Sequence, residues 1–204
     1  MSQPKIAIII YSMYGHIAKL AEAEKKGIEA KGGSATIFQV PETLPAEVLT
    51  KMHAPAKGDY PIATPQTLVD YDAYLLGVPT RYGNMPAQWK TFWDATGQLW
   101  ANGTLVGKHA GIFVSTAGPG GGQEMTALSF ISTFTHHGIL FVPFGYATGY
   151  QANISVTEAH GGSPWGPGTY TDSNGSRQPS ERELKITEAH GAHFLNIVSR
   201  VHKA

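Results

Sequence analysis

The chain opens on an unbroken apolar run, Ile6–Tyr11, rich in β-branched residues and free of polar alternation, the pattern of a strand buried on both faces. The period then changes. After Ser12, Met13, Tyr14 and Gly15, the residues Ile17, Leu20, Ala21, Glu24 and Ile28 recur at helical spacing, and Gly32–Gly33 stops the helix. Residues 35–40 read as a second strand. Proline punctuates residues 41–65 around a short helical pattern at 46–52, and another short helix is predicted over 66–70. A third strand, 73–78, leads into Pro79–Pro86. Pro86 suits the first turn of a helix carrying Trp89, Phe92, Trp93 and Thr96, with Gly97 as its stop. A fourth strand, 109–115, precedes a glycine run and a helix over 123–137, which aligns Met125, Leu128, Ile131 and Phe134 on one side and stops at Gly138. Residues 139–143 read as a fifth strand. No period runs through 149–179. Ser180 and Glu183 then form a capping box that opens a last helix with Leu184, Ala189, Phe194, Ile197, Val198 and Val201.

Strand–helix alternation repeated five times predicts an α/β fold, a doubly wound five-stranded parallel sheet with helices on both faces. One domain over 1–204 is expected, with 149–179 as an irregular insertion before the last helix. Ligands of such sheets bind beyond the carboxyl ends of the strands, where the strand order reverses. The loops 12–17, 79–85 and 115–122 are therefore expected to converge.

Composition narrows the chemistry. Fifteen basic and 15 acidic residues give a formal net charge of zero, so neither nucleic acid nor anionic lipid is an expected partner. The absence of cysteine removes disulfides, thiolate zinc, iron–sulfur clusters and a cysteine nucleophile. His190 and His193 stand one turn apart without a third ligand nearby, so no metal site is expected. The first apolar run is far shorter than the ~20 residues of a membrane span, and nothing resembles a signal peptide. A cytoplasmic protein is expected. Charged residues make up only 15% of a chain with 4 Trp, 9 Tyr and 8 Phe, which suggests that part of its surface is buried against other subunits.

Each loop admits two readings alone. In the first, a helix starting straight after a buried strand offers free N–H groups and a partial positive charge to a phosphate, with the Ser12 hydroxyl beside them. No lysine follows, and neither GxxxxGK[ST] nor GxGxxG occurs there, so a single phosphate held by backbone remains, or an ordinary turn with no ligand. In the second, Thr80, Arg81, Tyr82, Gly83 and Asn84 combine a guanidinium, a ring and a flexible turn, which suits a planar hydrogen-bonding heterocycle or merely a solvated arginine. The third holds four glycines between Gly118 and Gly122, either for close approach to a flat ligand or as a flexible lid.

Taken together, SMYGHI at 12–17, PTRYGNMP at 79–86, STAGPGGGQE at 115–124, HHG at 136–138 and GSRQPS at 175–180 resemble the WrbA-like NAD(P)H:quinone oxidoreductases, flavodoxin-fold enzymes that bind FMN. The resemblance runs through the whole chain in order. It implies a strand order 2-1-3-4-5, FMN at the strand ends and a homotetramer. By position, Ser12, Met13, Tyr14, Gly15, His16 and Ile17 would hold the phosphate, and Tyr14 would border the nicotinamide. Thr80, Arg81 and Tyr82 would contact the isoalloxazine, with Gly83 and Asn84 in the same loop. Ser115, Thr116, Ala117, Gly118, Gly120 and Gly121 would face it as well. His136 would lie near the flavin, and Trp100 would wall the substrate side. The third loop departs from the bacterial pattern by one added residue and by Pro119.

The activity this implies is two-electron reduction of quinones by NAD(P)H, with hydride passing through flavin N5. No second nucleotide-binding unit is present, so donor and quinone are expected to alternate in one pocket with ping-pong kinetics. Bypassing the semiquinone would make the activity protective. His136 is the candidate proton donor to the quinone oxygen, since imidazole titrates near neutral pH. Two alternatives keep the fold and lose the reaction. One is a one-electron carrier, which usually shows a strongly acidic face. The other is a scaffold that holds FMN without turnover.

Overall fold

The computed structural model describes residues 3–148 and 154–202. Its sheet has the order β2-β1-β3-β4-β5, built from β1 (Ile6–Ile10), β2 (Ala35–Gln39), β3 (Ala73–Pro79), β4 (His109–Thr116) and β5 (Leu140–Phe141), with β6 (Gly168–Tyr170) also paired to β4. All pairings are parallel, as crossover helices require. The helices are α1 (His16–Glu29), α2 (Ala46–Lys51), α3 (Pro65–Asp70), α4 (Ala87–Asp94), α5 (Gly97–Ala101), α6 (Gln123–His137) and α7 (Glu181–His202).

The strands lack polar alternation because both faces are covered. Ala7, Ile9 and Tyr11 of the first strand region belong to one core with Leu76, Trp89, Trp93, Phe130 and Phe134. Ile6, Ile8 and Ile10 belong to another with Leu20, Leu75, Phe113, Phe194 and Val198. The two-residue period of the pleat thus divides one continuous apolar run between two layers of helices. The first core is aromatic: the Trp89 and Phe130 rings meet edge to face at 5.1 Å, and Trp89 stacks with Trp93 at 6.2 Å. Trp93, at helical spacing from Trp89, is buried.

Four expectations change. The fifth strand is divided: Leu140–Phe141 pairs with the beginning of β4 at His109–Ala110, while Gly168–Tyr170 pairs with its end at Val114–Thr116. Among the described residues the sheet therefore has six strands, and Gly168–Tyr170 of the aperiodic segment completes it. Three residues carry no usable period, so β6 left no trace in the pattern. Gly97 does not end the helical region; it begins α5 after a break at Ala95–Thr96, and Trp100 lies in that short helix rather than in a loop. Pro86 takes the N-cap of α4, one residue ahead of its first turn. On α6 the side carrying Met125 and Leu128 faces outward, and the buried residues are Gln123, Thr126, Ala127, Phe130, Phe134 and His137. Among the described residues no helix is long and apolar enough to cross a membrane, and no cluster of three acidic, histidine or cysteine residues is placed to hold a metal.

Candidate active site

The turn from β1 into α1 needs Gly15. Its φ of 89° lies in the left-handed region, and a Cβ there would find only open space within 4 Å, so conformation rather than crowding selects glycine. The N–H groups of Gly15, His16 and Ile17 precede the first intrahelical bond, which runs from Lys19 N to Gly15 O. They face the end of the sheet with the positive end of the helix dipole. Ser12 Oγ accepts the Ala18 N–H at 3.3 Å, which leaves its own proton for an incoming oxygen. His16 is buried, and its Nε2–H donates to the Arg177 carbonyl at 2.9 Å. Burial lowers the His16 pKa, against the pull of the Arg177 and Gly175 carbonyls, so this histidine holds the turn as a neutral donor.

Just ahead of this turn in the chain, Tyr11 donates its hydroxyl to Glu42 at 3.1 Å. Burial, followed by the Glu42 charge, pushes that phenol far above its ordinary range. Glu42 also accepts the Thr43 N–H, the Leu44 N–H and the Gln88 amide, and pairs with Lys57 at 2.8 Å. Burial would raise its carboxyl, yet Lys57 and the two backbone amides outweigh that and hold it at about 2.

In the second loop, Arg81 and Asn84 exchange backbone hydrogen bonds at 2.8 and 3.0 Å around Tyr82 and Gly83, whose φ values are 55° and 74°. Two central residues at positive φ mark a type I′ turn. The turn thrusts the Tyr82 side chain fully into solvent. Thr80 Oγ1 accepts the Gly83 N–H at 3.1 Å and the Thr126 hydroxyl at 2.8 Å, pinning the loop to α6. In the third loop, Thr116 Oγ1 donates to Gly118 O at 2.9 Å, and Gly121 N–H donates to the same oxygen. A Cβ at Gly121 would lie 2.7 Å from Thr116 Cβ, so this fold-back admits only glycine, whereas Gly118 and Gly120 face open space.

The three loops converge. They enclose a cleft of about 430 Å³ lined by Ser12, Met13, Tyr14, His16, Ile17, Pro79, Thr80, Arg81, Ser115, Thr116 and Ala117, a size ordinary for a small-molecule site. Gly15 shapes the turn from behind. Tyr82, Gly83, Asn84, Gly118, Gly120 and Gly121 stand at the loop tips and do not line it. A fourth wall, Thr171–Gly175, completes the cleft. Sequence reasoning missed it, although Thr-Asp-Ser-Asn-Gly is a turn-forming run beside the GSRQPS motif.

His136 and Trp100 lie elsewhere. His136 is exposed in the last turn of α6, whose 15 residues span roughly 20 Å from the Gly122 end near the cleft. The neighbouring His137 shares a 2.9 Å hydrogen bond with Thr96, just ahead of α5, so the half-exposed Trp100 belongs to that same far end. Trp165, in the irregular segment before the last helix, stacks on Phe141 at 6.0 Å.

Comparison with known proteins agrees with this geometry. Residues 4–153 match the family model for NADPH-dependent FMN reductase. The chain is 61% identical over 197 residues to the NAD(P)H quinone oxidoreductase PST3 of Candida albicans, covering 97% of this chain and 99% of that one. It is 54% identical over 202 residues to the minor allergen Alt a 7 of Alternaria alternata, covering 98% and 99%. Among solved structures, a flavodoxin, WrbA-like protein from Agrobacterium tumefaciens superposes with a TM-score of 0.65 at 23% identity, covering 98% and 99% of the two chains, a likeness of fold. A parallel sheet of this order, a turn with free amides after its first strand and matches of this extent mean that the chain belongs to the NADPH-dependent FMN reductase family.

Proposed function

We propose that this chain binds FMN in the four-walled cleft and reduces quinones with NAD(P)H. The observation that carries the reading is the convergence of the β1, β3 and β4 loops on one cleft whose anion-binding end is made of backbone amides and a serine hydroxyl. The residues fit the group: an amide-lined helix start suits a phosphate monoester, and Arg81 and Thr80 stand opposite on the side for ring carbonyls. When bound, FMN supplies the two-electron relay between a nicotinamide and a quinone.

The chain's own part is positioning. Ser12 and the amides of residues 15–17 hold the phosphate, and His16 fixes that turn against Arg177. The Thr80–Thr126 bond sets the height of the Arg81 turn. Tyr14 lines the cleft mouth, with its hydroxyl donating to Met52 O at 3.2 Å, and borders the space where nicotinamide and quinone alternate, giving ping-pong kinetics. His136 and Trp100 reach an FMN only on a neighbouring copy. Their role as proton donor and substrate wall therefore goes with assembly of a homotetramer, which the exposed Met125, Leu128, Tyr82 and Trp100 favour. A protective role in a cytoplasmic setting completes the reading.

Absorbance of the purified protein before NAD(P)H, after it, and after benzoquinone tests the function. Yellow, bleached and yellow again is expected. A colourless protein that takes up no FMN at micromolar concentration overturns the reading, and quinone turnover no faster than free FMN overturns its enzymatic half.

A further inference from the structure

The fourth wall of the cleft, Thr171–Gly175, corresponds to none of the loops from which binding was anticipated. We propose that this segment, with Asp172 as its principal group, binds the hydroxyls of the cofactor's polyol chain and so selects a flavin carrying that chain over the bare ring. The inference rests on the FMN reading above.

Placement comes first. At one end, the Thr171 and Asp172 N–H groups donate to the Thr116 and Ala117 carbonyls, each at 2.9 Å, beside the glycine-rich loop. At the other end, His16 of the phosphate turn donates to Arg177 O at 2.9 Å. The segment therefore spans the interval between the ring side and the phosphate side of the cleft. A ribityl chain joins ring to phosphate and must cross that interval.

The chemistry matches. Thr171, Asp172, Ser173 and Asn174 present hydroxyl, carboxylate, hydroxyl and amide in succession, all lining the cleft. Polyol hydroxyls need strong acceptors, and an ionised carboxylate is the strongest that a side chain offers. A carboxylate is out of place against a phosphate, so Asp172 does not serve that end. Asp172 sits at φ 65°, a conformation that aspartate tolerates better than most residues. Its Oδ1 accepts the Ser173 N–H at 2.6 Å, which leaves Oδ2 for a donor in the cleft.

The wall is also built in advance. Arg177 Nη1 donates to Glu183 Oε2 at 2.9 Å and to Tyr170 O at 2.7 Å, and Arg177 Nη2 donates to Ala159 O at 3.1 Å. Glu183 is fully buried and also accepts the Thr169 hydroxyl and the Gly161 N–H. These bonds tie the segment to β6 and to the start of α7, so the polar row need not be ordered when a ligand arrives.

The test titrates flavin-free protein with FMN, riboflavin and lumiflavin, reading quenching of flavin fluorescence. Riboflavin keeps the polyol without the phosphate, and lumiflavin keeps only the ring. Asp172→Asn retains the turn geometry and removes the charge; Asp172→Gly removes the side chain and accepts the positive φ. Both variants are expected to weaken FMN and riboflavin by the same factor, about tenfold, and to leave lumiflavin unchanged. Unchanged FMN binding in both variants, or an equal loss for lumiflavin, overturns this inference while the FMN reading stands. Failure of the unsubstituted protein to bind FMN overturns both.

Discussion

The imidazole of His190 and the carboxylate of Glu24 meet 2.6 Å apart with no access to solvent, His190 Nδ1–H donating to Glu24 Oε1 across the contact of α7 with α1. Among the described residues, Glu24 Oε2 and His190 Nε2 have no hydrogen-bond partner. Burial pushes the Glu24 carboxyl upward, and His190 pulls against it. Removing either side alone, as Glu24→Ala or His190→Ala, strands the other in an apolar layer. Each is expected to lower stability by about 3 kcal/mol, where the ranges for an unsatisfied buried group and a broken buried pair meet. Urea denaturation checks this, and the double replacement Glu24→Leu with His190→Leu should recover a large part of the loss.

The same two helices approach through glycine. A Cβ on Gly27 would lie 1.9 Å from Glu188 O, and one on Gly191 would lie 2.2 Å from Glu24 O. Backbone cannot yield as a side-chain tip can. Gly27→Ala and Gly191→Ala should each destabilise by about 1–3 kcal/mol despite the better helix propensity of alanine. A rise in thermal midpoint for either variant would contradict this.

Ser12 separates phosphate binding from ring binding. Ser12→Ala removes a hydroxyl donor and the acceptor for the Ala18 N–H. FMN affinity should fall about tenfold, the worth of a hydrogen bond to a charged group, while riboflavin affinity changes little. The comparison is two titrations on flavin-free protein, and equal losses for both ligands would show that Ser12 only holds the turn.

Glu42, which accepts the Tyr11 hydroxyl at the end of the first strand region, is an acid-sensitive point of the fold. Its folded pKa, about 2, lies below its ordinary 4.5. A depressed carboxyl contributes stability above the unfolded value and loses it as pH falls from 4.5 toward 2. Glu42→Gln should therefore be less stable than the unsubstituted protein near neutrality, with the gap closing as pH falls through that window. Thermal midpoints across acidic buffers measure it. A gap that stays constant would place the loss in packing of the 41–57 excursion rather than in charge.

Much of the fold and part of the site were legible along the chain, because strands and helices write different periods and glycine is demanded where φ turns positive. The run Ile6–Tyr11, the stripe Ile17–Ile28, the Ser180–Glu183 box and the turn at Gly15 are such local demands, and each stands where its period or conformation required. Convergence of the 12–17, 79–85 and 115–122 loops followed from parallel order alone. Tertiary packing decided the rest. Three residues of β6 pair with β4 only because a free edge stood beside Val114–Thr116, and that pairing carries Asp172 to the cleft. Phe130 and Thr126, not Met125 and Leu128, turn inward on α6 because Trp89 and Thr80 await them. His136 and Trp100 stand near loop motifs in the sequence but at the opposite end of the sheet, since a helix of 15 residues carries its last turn away from its first. Periodicity states what a segment is; which partner it meets depends on distances that no single segment contains.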